Sequence, residues 1–201
     1  MARKAEERKA ALRERLLEAA SERIARDGLN ALRARDLAGD AGCSLGAIYN
    51  VYDDLDALVM AVNGRTFQML GRVVSLSLEG AGGMPPVERL VRMSHAYLGF
   101  AAEHTNLWRA LFDVEMTDDG PVPDWYREAL AGLFVHIAGP VSELNPDMGD
   151  EEVGLMTRAL FSAVHGIVLL GLQNRISGVP PQQIETMISQ VLRRIGNNPF
   201  P

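Results

Sequence analysis

Residues 36–49, DLAGDAGCSLGAIY, join two short helical patterns through a tight turn that contains glycine. A helix-turn-helix is built from these parts, and its second helix presents its first residues to the major groove of DNA. Gly42 permits the turn, Ser44 stands where a side chain can cap the second helix, and Gly46 is small enough for close approach to DNA. Five residues are expected to form the small core of this motif: Leu37, Ala38, Ala41, Cys43 and Ile48.

The rest of the chain also has helical periodicity. Apolar residues recur at spacings of three and four, and no run alternates with a period of two. Leu16, Leu17, Ala20 and Ile24 share one face of a first helix, which Gly28 ends. The short helix of the motif covers about residues 35–40, and its successor begins after Ser44. The pattern therefore predicts an all-α fold.

A longer helix is expected after the motif, with Asp53 or Asp54 as its cap, and it continues to about Leu78. The glycine- and proline-rich residues 80–86 interrupt it and form the clearest linker. Further helices are predicted at residues 87–103, 106–112, 124–144, 151–177 and 181–195. We predict a helix-turn-helix domain at residues 1–55 and a second helical domain at 56–201.

Charge is distributed unevenly along the chain. The net charge is −6, from 20 basic and 26 acidic residues. Residues 1–35 hold 10 basic and 6 acidic groups, which gives +4, so residues 36–201 hold 10 and 20, which gives −10. A basic end on an acidic body indicates that the N-terminal part faces DNA.

Composition excludes several other classes. Cys43 is the one cysteine, so no disulfide forms within the chain, and no apolar run has the length of a membrane span. A cytoplasmic location is therefore predicted. No phosphate-binding loop, nucleophile elbow or close pair of metal-ligating histidines is present, so neither an enzyme nor a metal or cofactor site is expected.

Residues 16–58, LLEAASERIARDGLNALRARDLAGDAGCSLGAIYNVYDDLDAL, resemble the N-terminal signature of the TetR family of transcriptional regulators. The resemblance implies that the helix after Ser44 reads DNA. Two positions depart from the family pattern: Arg33 replaces a capping threonine and Leu55 replaces a phosphate-binding lysine. The implied groove-facing residues are Leu45, Ala47, Tyr49 and Asn50, and the implied phosphate contacts are Ser44 and Tyr52, with Arg33 and Arg35 beside them.

The C-terminal half is similar to the AcrR-like WHG class of that family, on the segments 97–104, 107–112 and 161–166, although Phe161 stands where the class has tryptophan. The resemblance implies a ligand cavity and a homodimer formed by the last two long helices. The implied ligand-binding residues are Tyr97, Phe100, His104, Trp108, Phe112, Phe161 and His165. The dimer would bury an apolar seam: Leu155, Met156, Leu160, Val164, Val168, Leu172, Ile184, Ile188, Val191 and Leu192.

The resulting hypothesis is a repressor that a small, apolar or amphipathic inducer releases from a palindromic DNA operator. Two alternatives remain at this point. One is an enzyme or small-molecule carrier that uses the helical cavity alone. The other is an adaptor whose helix-turn-helix binds protein, because Asp53, Asp54 and Asp56 place negative charge beside the expected DNA surface. Equally, the apolar seam has the composition of an ordinary core within one chain.

Overall fold

The computed structural model describes residues 2–113, 123–173 and 180–197. In these ranges every regular element is helical and no strand occurs, which confirms the predicted all-α fold. The α-helices are α1 Ala2–Asp27, α2 Ala34–Asp40, α3 Leu45–Tyr49, α4 Leu55–Ser77, α5 Pro86–Glu103, α6 Thr105–Asp113, α7 Asp124–Leu144, α8 Asp150–Leu172 and α9 Ile184–Asn197.

Helix boundaries follow the turn residues in the sequence. Asp54 caps α4, because its Oδ1 accepts a 2.7 Å hydrogen bond from the backbone N–H of Ala57. Between α4 and α5, residues 81–83 form a single 3₁₀ turn within the stretch that its glycines and prolines predict as a linker. The predicted end of the eighth helix at Ser177 lies outside the described residues.

The chain forms two compact units. The first consists of Met1–Gln68 and His104–Tyr126, and the second of Met69–Glu103 and Arg127–Pro201. Helix α4 contributes to both units, while α6 belongs to the first. The predicted boundary at residue 55 concerns which segments bind DNA or ligand, and it stays a prediction.

The first unit has a core that joins α1 to the helix-turn-helix. Leu16, Ala20 and Ile24 of α1 are fully buried, and Leu17 nearly so, which confirms the predicted inward face of this helix. Leu107 and Ala110 of α6 belong to the same core. All these side chains are apolar, so their removal from water stabilises the position of α2 and α3 on α1.

Polar contacts attach α6 to its neighbours in the first unit. The Asn106 side chain donates to the carbonyl of Ala25 at 2.9 Å, near the C-terminal end of α1, where backbone carbonyls lack helical partners. The fully buried Asn63 of α4 donates to the carbonyl of Ala110, also at 2.9 Å. Helix α6 therefore has specific polar partners on both α1 and α4.

In the second unit, α5 packs on α9 and on α8, and α8 packs on α9. At the surface Arg193 donates two hydrogen bonds, of 2.8 and 2.9 Å, to the carboxylate of Glu88. The predicted apolar seam is wrong in its details, because most of it is the core of this unit within one chain. Six of its ten residues are buried there: Leu160, Val164, Val168, Ile184, Ile188 and Leu192.

Helix α8 keeps an apolar face open that shares Leu155 with the predicted seam. Leu155 is 62% exposed and Leu170 44% exposed. On the same face lie the exposed residues Ala159, Ser162 and Ala163, and we call these five residues the α8 stripe. By length and composition, α8 is the one helix in the described ranges that could cross a membrane. Most of this helix is not buried in the chain.

Candidate DNA-binding and ligand-binding sites

The turn between α2 and α3 is fixed by backbone hydrogen bonds at the end of α2. The Cys43 N–H donates to the carbonyl of Ala38 at 2.9 Å, and the Gly42 N–H to that of Gly39 at 3.1 Å. These two bonds form a Schellman motif, which requires a left-handed residue between them. Gly42 has that conformation, with φ of 61°. The turn therefore sets the direction in which α3 leaves α2.

Helix α3 has one buried face and one exposed face. Ile48 is fully buried, as is Leu37 of α2, while Leu45 is 45% exposed and Tyr49 is 49% exposed. Of the predicted motif core, Ala38 and Ala41 are buried and Cys43 packs partly buried against them. Two large side chains on the open face of a short helix form a surface that a DNA groove could receive.

Ser44 occupies the N-cap position of α3 by its backbone, with φ of −78° and ψ of 155°. Its side chain makes no capping hydrogen bond, so the predicted capping role of the hydroxyl is wrong. The Ser44 carbonyl instead accepts a 3.0 Å bond from the N–H of Ala47. Ser44 is exposed, as is Asn50 at the other end of α3.

Tyr52 lies in the core of the first unit and is 4% exposed. The guanidinium of Arg13 stands 4.7 Å from the centre of its ring and also donates a 2.6 Å bond to the carbonyl of Val51. Burial raises the pKa of the Tyr52 hydroxyl, and the nearby Arg13 opposes that shift. In this structure Tyr52 therefore positions the chain after α3 against α1 and offers little surface to a phosphate.

Charged groups around the motif are partly neutralised. Arg23 of α1 lies 3.6 Å from a carboxylate oxygen of Asp36 and donates a 2.9 Å bond to Asp40, so both acids of α2 have a positive neighbour. Arg33 donates to backbone carbonyls near the start of α2, and Arg35 is exposed. The predicted DNA-binding residues Arg33 and Arg35 are thus on the surface of the first unit.

A glycine pair tests the role of the turn. Of Gly39 and Gly42, Gly42 is the one with a left-handed backbone, in which an added side chain is strained. Gly42→Ala is therefore expected to lower the free energy of unfolding by about 1 kcal/mol. Gly39 is exposed inside α2 and has open space around it. Gly39→Ala is therefore expected to raise the same quantity by about 0.5–1 kcal/mol. Urea unfolding of the two variants measures both, and equal effects would contradict this account of the turn.

The second unit contains a narrow cavity of about 60 Å³. Helices α4, α5, α7, α8 and α9 all contribute to its wall. Ten of its twelve lining residues are apolar and two, Ser94 and Tyr97, carry a hydroxyl. The lining consists of Leu70, Val74, Leu90, Met93, Ser94, Tyr97, Leu133, Ile137, Leu160, Phe161, Val164 and Leu192.

Of the predicted ligand residues, Tyr97 and Phe161 line this cavity, and His165 does not line it but contacts both of them. The Tyr97 hydroxyl lies 2.8 Å from Nδ1 of His165, within hydrogen-bonding distance. The Phe161 ring stacks on the His165 ring at 5.6 Å and meets Tyr97 edge to face at 6.1 Å. Burial lowers the pKa of His165, so this imidazole is neutral at neutral pH.

The other predicted ligand residues lie elsewhere. Phe100 is buried in α5 and does not line the cavity. His104, Trp108 and Phe112 belong to the first unit, where the Trp108 ring is almost fully buried and contacts Phe112 edge to face at 5.8 Å. Sequence reasoning missed the aliphatic wall, because leucine and valine at helical spacing look the same in a cavity and in a solid core.

Metal binding has no support in the part of the chain that the structure describes. No group of three histidine, cysteine or carboxylate side chains there could hold an ion. Cys43 is partly buried and not bonded to another cysteine.

Comparison with known proteins identifies the family of the chain. Residues 90–195 match the family model described as Tetracyclin repressor-like, C-terminal domain. The chain is 27% identical over 174 residues, 87% of its length and 76% of the relative's, to the uncharacterized HTH-type transcriptional regulator Rv0681 of Mycobacterium tuberculosis.

Solved structures share the fold. A Rhodococcus sp. RHA1 protein of unknown function superposes with a TM-score of 0.73 at 25% identity, covering 91% of this chain and 94% of that one. Thermus thermophilus FadR, a TetR-family repressor solved with lauroyl-CoA, superposes with a TM-score of 0.64 at 21% identity, covering 94% and 98%. With the family match extending over more than half of its residues, the chain belongs to the TetR family of DNA-binding transcriptional regulators, which are not enzymes.

Proposed function

We propose that this regulator is a repressor, located in the cytoplasm, that binds a near-palindromic operator as a homodimer and leaves it when a small apolar or amphipathic molecule enters the second unit. The observation that carries the proposal is the pairing of an exposed α3 face with an apolar cavity in the same chain. Each feature needs its own partner, and the two partners differ in chemistry.

The groove-facing candidates are Leu45, Ala47, Tyr49 and Asn50. Leu45 and Tyr49 supply apolar surface for thymine methyl groups and sugars, and the Asn50 amide can hydrogen-bond an adenine edge. Gly46 has open space around it, so the backbone of α3 can approach the groove closely. This placement makes α3 the recognition helix.

Phosphate contacts are proposed for Ser44, Arg33 and Arg35, together with the basic residues at the start of α1. The exposed Ser44 hydroxyl makes no capping bond to α3. Arg23 shields the acids of α2, so the repulsion that DNA meets comes from the exposed Asp53, Asp54 and Asp56. Their carboxylates favour a binding mode in which the operator backbone passes on the α2 side of α3.

The dimer is proposed to form through the last two long helices, with the α8 stripe at its centre. The stripe is apolar or small at every position and lies on one helical face, so two copies can pack closely around a two-fold axis. This contact would also bury the apolar length of α8. It replaces the predicted apolar seam, most of which is already used within the chain.

Ligand control is proposed to act through α4. Leu70 and Val74 of this helix line the cavity, and its earlier residues belong to the first unit. A two-fold dimer that binds successive major grooves must hold its recognition helices about 34 to 36 Å apart. A ligand that prefers another spacing by about 1.4 kcal/mol lowers operator affinity about tenfold.

Fluorescence anisotropy with DNA flanking the regulator's own gene tests the proposal. Specific binding is expected, and raising the salt from 50 to 200 mM should weaken it about a thousandfold if each dimer contacts about six phosphates. Unrelated DNA of equal length is the control. An adaptor that binds protein, or a carrier, would show equally weak binding to both DNAs, and that result would contradict the proposal.

A further inference from the structure

We infer that the cavity of the second unit selects a small, uncharged aromatic molecule with one hydrogen-bonding group, and that Tyr97 together with His165 recognises that group. The inference rests on the proposed ligand response and adds to it the chemical class of the ligand and the residues that discriminate. Four observations on the cavity lead to it.

The wall of the cavity disfavours charge. Ten of the twelve lining residues offer only hydrocarbon, sulfur or ring surface. An ion moved from water into such surroundings loses its hydration without gaining partners, so its entry is strongly unfavourable. A neutral molecule with an apolar body has no such penalty, because its transfer from water is favourable.

The two aromatic rings in the lining, Tyr97 and Phe161, favour an aromatic body. Phe161 already makes edge-to-face contacts with Tyr97 at 6.1 Å and with Phe134 at 5.2 Å. Such pairs are favoured beyond the area that they bury. A ligand ring placed against Phe161 and Tyr97 adds one more ring to this set of aromatic contacts.

The Tyr97–His165 pair supplies a polar position beside those rings. The 2.8 Å contact joins the Tyr97 hydroxyl to Nδ1 of His165, and a hydroxyl combines one donor with two acceptor sites. The Tyr97–His165 pair can therefore form a hydrogen bond with a hydroxyl or a carbonyl on the ligand. Because burial keeps His165 neutral at neutral pH, the pair does not offer a positive charge to a carboxylate.

The size of the cavity limits the ligand. Its volume of about 60 Å³ is below the roughly 150 Å³ of an apolar cavity that accepts benzene. A ligand with a single ring must therefore displace lining side chains, and Leu70 and Val74 of α4 are among them. Entry of the ligand thus acts on the helix through which control is proposed.

Calorimetric titration of the full chain without DNA tests the inference with three matched probes: 4-ethylphenol, ethylbenzene and 4-ethylbenzoate. 4-Ethylphenol is expected to bind about three- to tenfold more tightly than ethylbenzene, which is the value of one neutral hydrogen bond. 4-Ethylbenzoate is expected to give no heat of binding at the concentration at which 4-ethylphenol saturates the protein.

Conservative variants identify the side chain that is responsible for the preference for 4-ethylphenol over ethylbenzene. Tyr97→Phe keeps the ring and should reduce the preference for 4-ethylphenol over ethylbenzene to about onefold. Ser94→Ala, at the other lining hydroxyl, should leave the preference unchanged. Tyr126→Phe removes a hydroxyl from a buried tyrosine of the first unit, and it is the matched control for effects on folding.

Three results would overturn the inference: equal affinity for all three probes, preference for the benzoate, or a preference that Ser94→Ala removes and Tyr97→Phe keeps. Absence of binding by 4-ethylphenol in protein that still binds its operator would also overturn it, while the proposed DNA binding stands. If 4-ethylphenol binds as expected but does not release DNA, the ligand class stands and the proposed ligand response fails.

Discussion

Replacing Tyr49 with alanine is expected to abolish specific operator binding, with an affinity loss of about 100-fold or more. The side chain is half exposed on α3, and a dimer presents it twice. One base-edge contact contributes about 1–3 kcal/mol, so two lost contacts multiply to this range. Anisotropy titration against the operator at fixed salt measures the loss.

Two controls accompany this variant. Tyr49→Phe keeps the ring and should retain most of the affinity, whereas Leu76→Ala removes an exposed apolar side chain of α4 and should change nothing. The melting temperature of Tyr49→Ala should stay close to that of the wild type, because an exposed side chain contributes little to folding. Wild-type affinity in Tyr49→Ala would show that α3 does not dock as proposed.

The double substitution Leu155→Glu with Leu170→Glu is expected to convert the dimer into monomers. In a two-fold interface each change occurs twice, so four carboxylates would lie in the buried contact. Unpaired charge in such surroundings costs several kcal/mol, which raises the dissociation constant of the dimer by more than about 1,000-fold. Sedimentation at micromolar protein concentration measures the change, and DNA affinity should fall with it.

Val135→Glu is the matched control for that pair. Val135 is 67% exposed in the same unit, on α7, so the new charge meets solvent and the dimer should persist. If Val135→Glu gave monomers while the double substitution still gave dimers, the dimer interface would lie on α7 and not at the α8 stripe.

Local rules were sufficient to predict most of the helices. Glycine and proline positions marked the ends of α1, α2 and α4, and the periodicity of three and four placed the buried face of α1. The helix-turn-helix was predictable for the same reason, because its turn needs a residue such as Gly42 and its core needs Leu37 and Ile48. These features depend on residues close together in the chain.

Long-range features were harder to predict. The apolar seam and an intrachain core have the same spacing, so Leu160 and Val164 could not be assigned to one of them before α9 was seen against α8. The ligand residues of α6 were placed at the cavity by resemblance, yet Trp108 packs in the first unit. Tyr97, Phe161 and His165 had a distinctive chemistry and were found together.

The contribution of α6 to the first unit changes how this regulator can be dissected. A DNA-binding fragment that ends at Gln68 would lack Leu107 and Ala110. It would also leave the carbonyl of Ala25 without its hydrogen bond from the Asn106 amide. Fusing this DNA-binding unit to the ligand-binding domain of another protein therefore requires two segments of this chain, the N-terminal one and 104–126. The sequence of the other protein is inserted between these segments and after the second one. Chimeras made with a single crossover should express poorly, and those made with the discontinuous graft should fold.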